Sequence, residues 1–121
     1  MRIADEDEKS GNKGADNDRL TNKLIDARAL ILADEVSDEL YRHVATMLTI
    51  LERKDPKATI TVYINSPGGS ADSGFAIYDL LRFSPCPILT VANGVVASAA
   101  VLIHLAPPKE PRVSLPNARF L

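Results

Sequence analysis

Residues 60–83, ITVYINSPGGSADSGFAIYDLLRF, join an alternating apolar run to a helix-like segment through a corner of proline, glycine and serine. Ile60, Val62 and Ile64 fall on one side of the run and Thr61 and Tyr63 on the other, the period of a β-strand over Thr59 to Asn65. A helix is predicted from Ala71 to Phe83, stopped by Pro85 and Pro87. At the corner between them, Pro67 presets one φ, while Gly68 and Gly69 permit positive φ and close approach of another backbone. A turn that only reverses the chain needs no such freedom. Free amides ahead of a helix form a concave site for negative charge. That charge is either a phosphate or the oxyanion of an acyl-transfer intermediate. No lysine follows the glycines and the G-x-G-x-x-G spacing is absent, so a phosphate loop is poorly supported.

Working outward, Ile88 to Ala92 predicts a further strand and Asn93-Gly94 a turn. A second, small-residue helix follows over Ala97 to Ala106, closed by Pro107, Pro108 and Pro111, with a last short strand from Arg112 to Leu115. Upstream, Ala29 to Leu32 reads as a buried strand and Ser37 as a helix N-cap. Leu40, Val44, Met47, Leu48 and Leu51 then recur at helical spacing, with Glu39, Arg42, Arg53 and Lys54 off that face, until Asp55-Pro56 ends the helix. Met47 in such a stripe is a core residue. Strands alternating with helices imply parallel strands joined by right-handed crossovers, an α/β class.

At 121 residues the chain holds one domain at most. Its net charge of −2 lies wholly in the first nineteen residues, since ten acids and ten bases follow from residue 20. Residues 1–19 are polar and nearly free of large apolar groups, so a disordered tail is expected there, with residues 20–121 forming the domain. No basic stripe points to nucleic acid, and no apolar run is long enough to cross a membrane. The acidic start is unlike a secretory signal, so a cytoplasmic protein is expected. The lone Cys86, between Pro85 and Pro87, reads as a small filler without a charged sequence neighbour to activate it.

Ser98 stands alone among small residues in NGVVASAA, residues 93–100, at the head of a predicted helix. It is either a cap or packing residue or a nucleophile. YINSPGGSADSGFAIYDLLRF, then NGVVASAAVLI, then SLPNARF, together with DEVSDEL and ERKDPKATITVYIN, resemble the proteolytic subunit family of the ATP-dependent Clp protease, ClpP. The resemblance runs from about Leu24 to Leu121 and implies a ClpP/crotonase-like spiral of βα units, truncated before its C-terminal strand–helix portion. It implies that Ser98 is the catalytic nucleophile and that the amides of Gly69 and Ala99 form the oxyanion hole. Gly68 and Ser70 would belong to the loop that pairs with extended substrate. Tyr63 and Phe83 match docking positions for an AAA+ unfoldase ATPase, although each could equally pack against a neighbouring subunit. The resemblance further implies unfolded protein or peptide substrates and self-association into rings. ATP is used by the partner, with no cofactor or metal in the chain itself.

A serine needs a base, and the family uses histidine and aspartate. His104 lies six residues after Ser98 on the same predicted helix, about 9 Å along and about 240° around, out of hydrogen-bond reach. It reads as a packing histidine, and His43 as a surface or interface one. Gapless comparison puts the family histidine two residues past Leu121 and the aspartate later, so this chain alone is expected to be inactive. Val95, Val96, Ala99 and Ala100 depart from the family's usual residues, as do Pro107, Pro108 and Pro111 in a usually glycine- and lysine-rich turn. These departures keep open a catalytically inactive ring subunit. A crotonase-fold acyl-CoA enzyme is a further alternative, and a serine–lysine protease would need Lys109 near Ser98.

Overall fold

In the computed structural model, which describes residues 2–108 and 112–121, with side chains from residue 13, every strand is parallel to its neighbours. Met1 and residues 109–111, with Lys109 and Pro111 among them, lie outside the described residues. The strands are β1 Ala29–Leu32, β2 Ile60–Ser66, β3 Ile88–Val96, β4 Arg112–Ser114 and β5 Arg119–Phe120. The helices are α1 Arg2–Ala27, α2 Asp38–Lys54, α3 Ala71–Phe83 and α4 Ala99–His104. The sheet order is β1-β2-β3-β4, with β5 also pairing β3 beyond β4.

Because successive strands are neighbours, crossovers of one hand place α2, α3 and α4 on one face of the sheet. There Leu30, Leu32, Val62, Ile64 and Ala92 meet Val44, Leu48, Leu51, Ile77, Leu81 and Ile103 in a single core. The other face carries Ile31, Tyr63, Val91 and Val113 in one cross-strand row. Ile31 is 47% exposed there, Tyr63 and Val113 are half-buried and Val91 is buried, so the row is open mainly at its β1 end. Among the described residues, no helix is long and apolar enough to cross a membrane.

The α2 reading holds in detail. Ser37 accepts from the Leu40 N–H at 3.2 Å, and the Asp55 N–H closes the last turn on the Leu51 carbonyl. Arg28, at φ 54°, crosses beneath this end. Its guanidinium donates to the carbonyls of Leu51, Asp55, Ala58 and Thr59, and lies 3.5 Å from the Cys86 Sγ. Cys86 is therefore buried beside a cation after all: the fold supplies across 58 residues what its sequence neighbours lack.

The polar N-terminal segment carries the backbone of α1, Arg2–Ala27, which has no proline to stop it. Its described side chains through Lys23 are exposed, and α1 reaches the core only at Ile25. Two local expectations are corrected. Asn93-Gly94 does not turn the chain but lies inside β3, where Gly94 adopts φ +85°. The helix expected over Ala97 to Ala106 shortens to α4, because Ala97 and Ser98 are taken up in the junction with β3.

Candidate active site

The strand register builds the site. Pairing of β2 with β3 runs from Ile60↔Ile88 to Ile64↔Ala92 and resumes at Ser66↔Val96. Over that step β2 advances by two residues and β3 by four. The surplus is absorbed around Asn93-Gly94, where β3 trades its second partner from β4 to β5. Beyond it the Ala97 N–H donates to the Ser66 carbonyl at 3.1 Å, and the chain breaks out of the sheet at Ser98.

Ser98 has φ 53° and ψ −122°, a conformation that costs a non-glycine residue about 1–3 kcal/mol. The surroundings impose it. The Ser98 N–H donates to the Leu121 carbonyl at 2.9 Å, the Leu121 N–H to the Val96 carbonyl at 3.1 Å, and the Val101 N–H to the Ser98 carbonyl at 2.9 Å. The hydroxyl makes no cap bond to α4, and the residue is exposed. Of the two bland readings of this serine, a cap or a packing residue, the hydroxyl does not act as a cap.

The proline–glycine corner packs directly against it. A Cβ on Gly68, at φ +95°, would stand 2.8 Å from the Ser98 Cβ and 2.7 Å from the Ala97 carbonyl oxygen. Behind the corner, the Val36 N–H donates to the Gly68 carbonyl at 2.9 Å and the Ser70 N–H to the Val36 carbonyl at 2.8 Å. This one-residue parallel bridge turns the N–H and carbonyl of Gly69 away from Val36. A Cβ on Gly69 would collide with the Val36 carbonyl oxygen. The Gly68 N–H is held by the Ser66 Oγ at 3.2 Å, and Ser70 caps α3 through the Ser73 N–H. The Ser73 hydroxyl in turn donates to Asp38 at 2.9 Å, tying the start of α3 to the start of α2. Gly74 of α3 lies against Ala99, the first residue of α4. Among the described residues, neither the Gly69 nor the Ala99 N–H donates to an acceptor.

The family model described as Clp protease matches residues 12–121. The chain belongs to the Clp protease family. It is 42% identical over 119 residues to an ATP-dependent Clp protease proteolytic subunit 2 from Treponema denticola, covering 98% of this chain and 60% of that one. It is 36% identical to the subunit 2 of Treponema pallidum, covering all of this chain and 61% of the relative. Among solved structures, ClpP1 from Listeria monocytogenes superposes with a TM-score of 0.80 at 41% identity, over 84% of this chain and 59% of that one. The chain thus spans about three fifths of the length of these relatives, as a partial ClpP-like α/β domain.

Within this Clp family domain, Ser98, Gly68, Gly69, Ser70 and Ala99 are gathered at the carboxyl ends of β2 and β3. Tyr63 and Phe83 are not. Tyr63 is half-buried on the open sheet face, whereas Phe83, 88% exposed, ends α3 in the helix layer. Neither histidine is hydrogen-bonded to Ser98 among the described residues. His43 is exposed on α2. His104 is buried with its ring 5.5 Å from that of Phe120, and among the described residues its Nδ1 has no hydrogen-bond partner.

Burial, and secondarily the charge of Arg112, pushes the His104 pKa below its ordinary value of 6.5. The unfolded chain therefore binds a proton near that value while the folded chain resists it. Stability attributable to this group is intact above it and falls as pH drops below it. His104→Leu should flatten that loss, and urea midpoints at pH 7.5 and 5.5 for both proteins measure it. Equal slopes would contradict the burial of a neutral imidazole.

Proposed function

We propose that this chain is the nucleophile-bearing part of a serine endopeptidase subunit that cleaves peptide bonds of unfolded proteins through an acyl-enzyme. The observation that carries the reading is Ser98 itself: an exposed, uncapped hydroxyl at a strained junction, in contact with the Gly68–Gly69 corner. Substrate backbone pairs with Gly68 to Ser70 as an added strand, and Ser98 Oγ attacks its carbonyl carbon. The negative charge that develops on the carbonyl oxygen is received by the unengaged N–H groups of Gly69 and Ala99. The C–N bond then breaks, the amine leaves with a proton, and water later releases the acyl group.

The base enters from the Leu121 side in this reading. The Leu121 carbonyl already accepts from the Ser98 N–H, and the resemblance puts the histidine two residues further on. His104, buried against Phe120, does not serve. The 121-residue chain alone is accordingly expected to turn over little or no peptide.

The names of the relatives support an ATP-dependent complex. We place an AAA+ unfoldase on the sheet face that carries the exposed Ile31 and the half-buried Tyr63, with ATP consumed by that partner in the cytoplasm. Tyr63 and Phe83 lie on opposite layers of one chain, and in this reading adjacent subunits of a ring contribute one each to a shared docking pocket. Family membership favours this chemistry over the coenzyme A thioester alternative.

A fluorophosphonate probe tests the proposal on the full-length protein. Covalent modification mapped to Ser98 by peptide mass spectrometry is expected. A folded, assembled protein that takes no probe at Ser98 would instead be an inactive ring subunit.

A further inference from the structure

We propose that Asn65 is the positioning residue that sets the Ser98 junction, by replacing a strand partner that β3 has lost. The inference rests on the serine reading above. Where β3 gains two residues on β2, between Ile64↔Ala92 and Ser66↔Val96, the sheet has no β2 backbone acceptor in register for the Val95 N–H. The Asn65 side chain fills the gap, its Oδ1 accepting from that N–H at 3.3 Å. Its carboxamide lies flat on Gly94: a Cβ there would stand 3.1 Å from the Asn65 Cγ and Oδ1 and 3.2 Å from Nδ2.

One side chain thus connects the last turn of the bulge to the residue before the Ser66-Pro67-Gly68-Gly69 corner. Val95 and Val96 are also the residues that pair with Arg119 and Phe120. From Val96 it is two residues to Ser98. If the bulge slips, Ser98 moves relative to Gly68, while the core beneath, held by Val62, Ile64 and Ala92, has no reason to change. Asn65 is exposed, so its value lies in this one accepted hydrogen bond rather than in burial. A one-ångström misplacement of a reacting group can cost about a hundredfold in rate.

The test uses the full-length protein and separates an acceptor from mere volume. Asn65→Leu keeps the size and removes the oxygen, whereas Asn65→Asp keeps an oxygen at Oδ1. Asn65→Leu should slow fluorophosphonate labelling of Ser98 by at least about tenfold and lower kcat on a fluorogenic peptide with KM little changed. Its Val95 amide should exchange with deuterium at least about tenfold faster. Asn65→Asp should recover most of both losses. Gly94→Ala crowds the carboxamide but is also strained at φ +85°, so it should slow labelling and lower the urea midpoint together, whereas Asn65→Leu should slow labelling with its urea midpoint little changed. Wild-type labelling with an equally fast Asn65→Leu, or an Asn65→Asp as slow as Asn65→Leu, overturns the positioning role alone. A wild-type protein that takes no probe at Ser98 overturns the serine reading and this role with it.

Discussion

Ser98→Ala in the full-length protein should lower peptide turnover by a factor of at least about 10⁴ and eliminate probe labelling, with no loss of stability. In the proposed serine mechanism, removing the hydroxyl ends covalent catalysis, and whatever remains reflects the Gly69 and Ala99 amides and substrate binding. The informative companion is Ser98→Gly. The φ of 53° and ψ of −122° are strained for serine and easy for glycine. Relief of about 1–3 kcal/mol outweighs the extra entropy glycine loses on folding, about 0.5–1 kcal/mol. Ser98→Gly should therefore be inactive yet more stable than wild type by about 1 kcal/mol, read from urea unfolding. A structural serine would behave in the opposite way, losing stability when its hydroxyl and Cβ are removed. The pair of variants distinguishes strain held for chemistry from strain left by accident.

That strain could not be read from the sequence, although the elements around it could. Alternation in ITVYIN and the stepping of Leu40, Val44, Met47, Leu48 and Leu51 are local signals, and the structure has β2 and α2 where they point. The parallel order follows from the alternation of such elements. Asn93-Gly94 misleads because a strong turn dipeptide is here overridden by tertiary pairing. Arg119 and Phe120 occupy the edge of β3 next to Val95 and Val96, and a two-residue strand has too few residues to show a period. Arg28 beside Cys86 and Asn65 beneath Val95 join residues 58 and 30 positions apart, contacts that only the closed sheet creates. For the site, residue types and motif order point to Ser98 and the glycine corner. That the hydroxyl is uncapped and the two loops touch depends on the bulge in β3, which no spacing rule reveals.

Gly68→Ala should be the most damaging substitution outside the nucleophile, lowering Ser98 labelling by at least about a hundredfold and stability by about 2–5 kcal/mol. Two costs combine. An alanine at φ +95° is strained, and its Cβ would sit 2.7 Å from a backbone oxygen and 2.8 Å from the Ser98 Cβ. Neither neighbour is the free end of a flexible chain. The Ala97–Ser98 backbone is fixed by bonds from Ala97 to Ser66 and from Ser98 to Leu121, so relief requires the junction to move. Gly69→Ala presses instead on the Val36 carbonyl and the Glu35 Cγ, on the far side of the corner. It should destabilise comparably while displacing Gly69 and leaving the Ser98 junction itself uncrowded. Labelling and peptide turnover both need the activated serine and the oxyanion amide, so both should fall in each variant, and further in Gly68→Ala at matched stability, because only there is the Ser98 junction itself crowded. If the two variants lose labelling in proportion to stability alone, the corner is a packing element, and its contact with Ser98 carries no chemistry.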